Sequence, residues 1–371
     1  MKKLFLLLMV ASLMGCTKSD KEGKESKEKK GREKDFNVEL FPVKEKADAE
    51  RMAFYNVENL FDTKNNPDTD DDEYMPKGEK EWDDKRYNKK LKHIGKVLRT
   101  IGGDGFPSLV GLCEVENEKV VRDLIKRNCD SANNYKIVHK QSPDGRGIDV
   151  ALIYKKNSFK LLSKAFHKVD LPGDVRPTRD ILYAELGYAT KVDTLHVFVN
   201  HWPSRYGGKE KTEPKRVAAA KTLKEKVDSL HNNKNSPNII ITGDFNDHPD
   251  NKSIEEVLHA EDELDDSDEK LLNLLAKAHE KDNKGTYNYK GEWGVLDQFI
   301  VSRSLLESKS GGFYVKTKDA HILKEKWMLY IDKEEKMVTP NRTYGGPEYY
   351  GGYSDHLPIY LDLRTKVNPQ R

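Results

Sequence analysis

Apolar residues along this chain gather in short runs rich in branched and aromatic side chains, separated by polar stretches with helical spacing. The runs predict strands at Met52–Val57, Ser108–Cys113, Ile148–Tyr154, Ile181–Leu186, Thr194–Asn200, Asn238–Thr242, Leu296–Val301 and Leu357–Leu363. Tyr87, Leu91, Ile94, Leu98 and Ile101 recur at three and four residues, as do Leu223, Val227 and Leu230, which predicts helices with one apolar face each. No Gly/Ser/Pro-rich linker and no repeat interrupts this alternation, so one α/β domain is expected over 36–371. A domain of that size buries about three quarters of its unfolded surface, enough for a large core. Long polar stretches at 62–82, 202–214 and 331–354 are expected as functional loops.

The first residues follow a different pattern. Lys2 and Lys3 precede the apolar run Leu4–Met14, and Leu13-Met14-Gly15-Cys16 follows. A basic start, a short apolar stretch and small residues predict a secretory leader over 1–15, and no apolar run in the chain reaches the roughly 18 residues of a membrane span. The cysteine at its end resembles the lipobox of bacterial lipoproteins, which implies lipidation of Cys16 and an anchor in the cell envelope. Thr17 suggests the outer rather than the inner membrane. Residues 17–35 hold no large apolar side chain and are expected, with Cys16, to form a flexible charged stalk.

Charge then narrows the function. The 371 residues carry 65 Lys+Arg and 63 Asp+Glu; positions 1–35 hold ten and six of these, leaving 55 and 57 in the domain, net −2. That excludes a globally cationic nucleic-acid binder and leaves local basic patches open. Three cysteines exclude a disulfide scaffold. Cys113 and Cys129 could pair in an oxidising compartment, but Cys113 at the end of a core strand reads as a buried thiol.

Residues able to bind metal or move protons stand repeatedly at strand ends. Asn56 ends Phe54-Tyr55-Asn56, Glu114 follows Leu109–Cys113, and His201 follows Val197–Asn200. Asp244 and Asn246 follow Ile239–Ile241, Asp297 opens Leu296–Ile300, and Asp355-His356 precedes Leu357. In open α/β folds such side chains converge on one rim. Carboxylate and amide oxygens suit Mg²⁺ or Mn²⁺, whereas the absence of a Cys/His cluster argues against zinc. Two histidines flanking a phosphate could exchange protons with water and the leaving oxygen, each steadied by a carboxylate. Alone, Gly-Asp-Phe-Asn reads as a tight turn; the repeated placement at strand ends is what points to a metal-bound phosphate ester. Asp68, Asp70, Asp72 and Glu79 match positions of a calcium loop, but Glu73 stands where that loop needs glycine. A solvated acidic loop is the expectation there, and a structural Ca²⁺ the alternative. His93 and His139 are expected as surface or structurally satisfied histidines.

FYNVENLF, LVGLCEVEN, GIDVALIY, TRDILYAEL, VNHWPSR, ITGDFND, VLDQFIV and SDHLPIY together resemble the endonuclease/exonuclease/phosphatase superfamily over 50–364. The resemblance implies the deoxyribonuclease I-like fold, a four-layer α/β (α+β) sandwich of two packed mixed sheets flanked by helices, and metal-dependent hydrolysis of phosphate esters. It implies that Glu114 and Asn56 hold the metal, with Asp355 a direct or indirect partner. Asp244 would orient the attacking water, and Asn246 and Arg179 would contact the phosphate. His356, oriented by Asp297, resembles the general base or a phosphate ligand; His201 resembles the general acid, with Asp149 as its carboxylate. Cys113 departs from the family's glutamine. Glu116 stands where the deoxyribonuclease branch places a DNA-contacting arginine, and a carboxylate there would repel DNA. The expected protein is a monomeric nuclease or phosphodiesterase; the alternatives are a phosphomonoesterase, a phospholipid phosphodiesterase and a catalytically silent binding lipoprotein. Trp202, Arg205, Trp293, Tyr344, Tyr349, Tyr350 and Tyr353 could offer stacking faces for bases.

Overall fold

The computed structural model describes residues 38–365, apart from 46–48, 104, 130, 174, 189–192, 235, 265–270, 281–283 and 307–311. The expected leader, Cys16 and the stalk lie outside the described residues. Val38–Arg371 clusters as one compact unit.

The first half of the chain supplies strands β1 (Ala49–Leu60), β2 (Leu109–Val115), β3 (Tyr135–His139), β4 (Asp149–Lys155), β5 (Phe159–His167) and β6 (Ile181–Tyr188). The second supplies β7 (Thr194–His201), β8 (Asn238–Asp244), β9 (Ala260–Glu261), β10 (Leu271–Asn273), β11 (Asp297–Ser302), β12 (Phe313–Tyr314), β13 (Ala320–Ile322) and β14 (Ile359–Thr365). Every predicted strand is present, with ends displaced by at most three residues. The helices are α1 (Asp84–Gly102), α2 (Glu118–Asn128) and α3 (Lys209–Asn233).

These strands form two mixed seven-stranded sheets. One runs β12-β14-β1-β2-β4-β3, with β13 also on β14; the other runs β5-β6-β7-β8-β11-β10-β9. Period-2 alternation assigns the two faces of each strand. On β8, Ile240 joins the core between the sheets, whereas Ile239 and Ile241 pack with Ala219, Ala220, Leu223 and Val227 of α3. Phe54, Leu112, Val199 and Phe299 are fully buried in the intersheet core, each worth roughly 1.5–3 kcal/mol relative to exposure. Gly111 permits the close approach: a Cβ there would lie 3.0 Å from the Phe54 ring and 3.4 Å from Val199 across the interface.

Outside the first sheet lie α1 and α2. Asp83 caps α1 by accepting from the Arg86 N–H at 2.8 Å, and all five residues of the predicted apolar face are buried. The long polar stretches are more ordered than expected. Residues 209–214 already belong to α3, and 331–354 contains a strand pairing with Leu329–Asp332 and a small Tyr344–Tyr349 hairpin. The 62–82 stretch is pinned where Tyr74 stacks on Phe61 at 4.3 Å and the Trp82 indole donates to the Phe61 carbonyl at 2.9 Å. Among the described residues no helix is long and apolar enough to cross a membrane.

Candidate active site

On the first sheet, the parallel register of β1 and β2 breaks after Asn56↔Cys113 and resumes at Leu60↔Val115. Inside the break Glu58, Asn59 and Glu114 adopt φ of 50, 58 and 62°, a left-handed conformation that costs of order 1–3 kcal/mol per non-glycine residue. The irregular backbone secures the Glu114 carboxylate. Its Oε2 accepts from the Asn59 N–H at 3.0 Å and its Oε1 from Asn56 Nδ2 at 3.3 Å.

On the second sheet, register alone aligns three polar residues. His201 on β7 lies beside Asp244 on β8, and Asp297 on β11 lies beside Asp244 from the other side. Gly243 allows the tight β7–β8 contact, since a Cβ there would fall 2.4 Å from the Asn200 carbonyl. Asp244 Oδ2 accepts from Asn56 Nδ2 at 3.0 Å, which ties the two sheets together at the rim. His356 arrives just before β14, and its Nδ1 meets Asp297 Oδ2 at 2.7 Å. The Nε2 atoms of His201 and His356 both stand 3.7 Å from Asp244 Oδ2.

The two imidazoles differ in charge. Burial pushes His356 down, but the Asp297 and Asp244 charges and the Asp297 hydrogen bond outweigh it and hold the ring well above the ordinary histidine value. His201 is held well below that value, first by burial and then by the positive charges of Arg179, Arg146 and His356. Its Nδ1 is buried without a hydrogen-bond partner. Burial raises Asp244 to about 7, against the pull of His356 and with the push of Asp297.

The expected partnership of Asp149 with His201 is not made. Asp149 Oδ2 instead meets His139 Nε2 at 2.9 Å, and its Oδ1 accepts from the Ser142 N–H and hydroxyl at 2.8 and 2.6 Å. The cause is the pairing of β3 with β4, which sets His139 opposite Ala151. His139 is thus a half-buried histidine satisfied by Asp149. His93 is structural too, bonded to the Gly352 carbonyl at 2.8 Å and stacked on Tyr353.

Arg179 and Asn246 meet on one acceptor: the Trp202 carbonyl takes Arg179 Nη2 at 2.6 Å and Asn246 Nδ2 at 3.0 Å. Asp355 Oδ2 accepts from Arg342 Nη2 at 3.1 Å. Glu116 does not face a substrate groove. It is 3% exposed, accepts from the Asp62 N–H at 2.6 Å and is raised by burial to about 7, so it presents no exposed carboxylate to repel DNA. Nor do Asp68, Asp70, Asp72 and Glu79 form a metal-ligating cluster among the described residues, and Arg176 occupies Asp70. The calcium alternative falls with that observation. Of the expected stacking faces, Trp202 and Tyr344 are buried, Tyr353 lies on His93, and Arg86 covers Tyr349. Cys113 and Cys129 are free and buried.

A divalent cation fits this set. Glu114 and Asp244 share one amide donor, Asn56, and no arginine or lysine pairs with either among the described residues. Asp297 Oδ1 is buried without a partner. Asp244, Asp297 and His356 bring ligand-capable atoms within 4.8 Å of one another. Cys113 approaches His201 and Asp244, but burial pushes its thiol far up, so a soft thiolate ligand is disfavoured.

Two supporting groups, Asp144 and Tyr287, lay beyond the sequence reading, and a third, Arg205, was expected there only as a stacking face. Asp144 pairs with buried Arg179 at 3.0 Å, and the Tyr287 ring stands 4.8 Å from that of His356. Arg205 Nε donates to the Asn246 carbonyl at 2.7 Å and fixes the turn after Asp244. Asp144 stands in an Asp-Gly-Arg turn and Tyr287 two residues after Gly285, the only local signals either offered.

The chain was compared with known proteins. The model of the Endonuclease/Exonuclease/phosphatase family matches residues 51–365. No curated protein matches the chain. Among solved structures, an endonuclease/exonuclease/phosphatase family protein from Bacteroides thetaiotaomicron is 17% identical with a TM-score of 0.52, covering 86% of this chain and 98% of its own. The mannosyl-6-phosphatase of the same organism is 18% identical with a TM-score of 0.53, over 85% of this chain and 100% of its own. The human Nocturnin catalytic domain is 14% identical with a TM-score of 0.51, over 86% and 95%. At these identities the structures speak to the fold, two packed mixed sheets with outer helices. The family match spans both sheets and every strand end described above, and the chain belongs to the endonuclease/exonuclease/phosphatase family.

Proposed function

We propose that this protein is a divalent-metal-dependent phosphodiesterase, acting on nucleic-acid-type phosphodiesters, and that it is anchored to the cell envelope through Cys16. The convergence of Glu114, Asn56, Asp244 and His201 with the Asp297–His356 pair carries the reading. Glu114 and Asn56 would hold Mg²⁺ or Mn²⁺, which supplies Lewis-acid stabilisation of the phosphate when bound. Asp244 orients the attacking water and takes its proton. His356, charged by Asp297, meets the phosphate as a hydrogen-bond and proton donor. These resting charges run opposite to the acid–base roles expected from sequence, His356 as base and His201 as acid, and agree with the alternative expectation of His356 as a phosphate ligand. His201, neutral at rest, acts through Nε2 as a hydrogen-bond partner of the phosphate. Asn246 and Arg179, fixed on the Trp202 carbonyl, flank its oxygens.

The test is hydrolysis of plasmid, RNA, sphingomyelin, nucleotides and sugar phosphates, with and without EDTA. Chelator-sensitive cleavage of a diester is expected; no turnover of any phosphate ester would overturn the reading. The sugar-phosphate arm separates it from monoester hydrolysis, the activity for which the Bacteroides thetaiotaomicron neighbour is named. Incorporation of labelled palmitate, lost in Cys16→Ser, tests the anchor.

A further inference from the structure

In a domain of net charge −2, α1 is strongly cationic on its outer side. Lys85, Lys89, Lys92 and Lys96 recur at four, three and four residues, one stripe along the helix. At a rise of about 1.5 Å per residue the stripe is about 16 Å long. Lys85, Lys89 and Lys92 are exposed, and none pairs with a carboxylate among the described residues. The acids nearest in sequence, Glu81, Asp83 and Asp84, stop at the start of the helix. On neighbouring α2, Arg122–Glu118 and Lys119–Asp123 pair within the helix, while Lys126 and Arg127 add two exposed cations in its last turn. On α1 itself the exposed cations therefore form a stripe along the helix.

A fixed segment joins α1 to the site. Segment 341–353 lies against α1 and is held by a buried ion pair, Lys90 with Glu58 at 3.6 Å. Lys90 also donates to the Tyr353 carbonyl at 2.9 Å, and Glu58 accepts from the N–H groups of Thr343 and Tyr344 at 2.6 and 3.2 Å. Arg342 begins this fixed segment. Its side chain is 46% exposed and pairs with Asp355, the neighbour of His356 in the chain, at 3.1 Å and with Glu58 at 3.8 Å.

Resting on the phosphodiesterase reading, we infer that the α1 stripe holds the phosphate backbone of a nucleic-acid strand whose scissile group lies at the site. Regularly spaced cations without carboxylate partners match a linear array of phosphates, and such contacts add affinity without reading sequence. A bilayer of anionic lipid is the weaker fit, because the exposed positions of the stripe, Lys85, Asn88, Lys89 and Lys92, include no apolar side chain to enter a membrane.

The experiment uses the full chain in EDTA, so that binding is read without turnover. Anisotropy of a fluorescent 20-nucleotide single strand is measured over a salt series for the parent and for a Lys85→Gln/Lys89→Gln/Lys92→Gln variant, with an unchanged thermal midpoint showing that the variant folds. Binding at least about tenfold weaker at low salt is expected, with a log K against log salt slope shallower by about 2, since each single-strand phosphate contact contributes about 0.7. Equal affinity and slope would overturn the inference. So would stripe-dependent binding of phosphatidylglycerol vesicles in place of the oligonucleotide. Stripe-dependent binding by a chain that hydrolyses no phosphate ester would leave the stripe standing as a strand-binding surface and remove the catalytic reading alone.

Discussion

The two histidines of the rim occupy matching positions about Asp244, yet their surroundings leave one cationic and the other neutral. His356 has a carboxylate on Nδ1 and a second one facing Nε2; His201 has Asp244 at a similar distance but an orphaned Nδ1 and two arginines nearby. Distance to Asp244 is therefore not what sets the charge. The group on the far side of the ring decides it, as expected when a buried imidazolium must have both N–H groups satisfied.

The strongest way to break this comparison is to remove the charged partner. His356→Ala is expected to lower kcat by about 10³–10⁴-fold on whichever ester is cleaved, the upper range for acid–base and electrostatic groups. Asp297→Asn keeps the shape but removes the charge, so a loss of about 10²–10³-fold is expected, with His356 titrating at lower pH by NMR. If the variant left His356 unchanged, the pairing would not be what charges it. Asp149→Asn sharpens the contrast from the other direction. Its kcat is expected to stay within about threefold of the parent, while chemical denaturation shows a loss of about 1–3 kcal/mol, because His139 and Ser142 lose a buried acceptor.

The smallest effect concerns His196, on the same strand as His201. Burial lowers it to about 4, and its Nδ1 lies 2.8 Å from the Tyr183 hydroxyl, so it is buried neutral. Its folded value lies under the unfolded value of about 6.5, so the unfolded chain binds more protons between them. Its contribution to stability is full above about 6.5 and is lost as the pH falls towards about 4. In His196→Gln the fall in unfolding midpoint over that window should be shallower; an unaltered slope would count against it.

Sequence alone carried the strands with strong apolar runs and the apolar stripe of α1, because burial enforces those patterns. It missed β5, an edge strand with several exposed positions and Leu162 half in solvent, whose alternation is correspondingly weak. It also missed α2, where Asn117 caps the helix and Val120, Val121, Leu124 and Ile125 form a buried face inside a highly charged segment. The rim residues were legible because strand ends collect them. The Asp149–His139 pair was not, since it depends on the register of β3, a strand only three-dimensional pairing reveals. The charge states were equally hidden, because they follow from which nitrogen finds a partner.

The most direct measurement is ¹⁵N NMR of histidine-labelled protein in chelator at pH 7.5, with assignments from His201→Ala and His356→Ala. His356 is expected to show two protonated nitrogens and His201 a neutral ring. A neutral His356 beside a charged His201 would contradict the account.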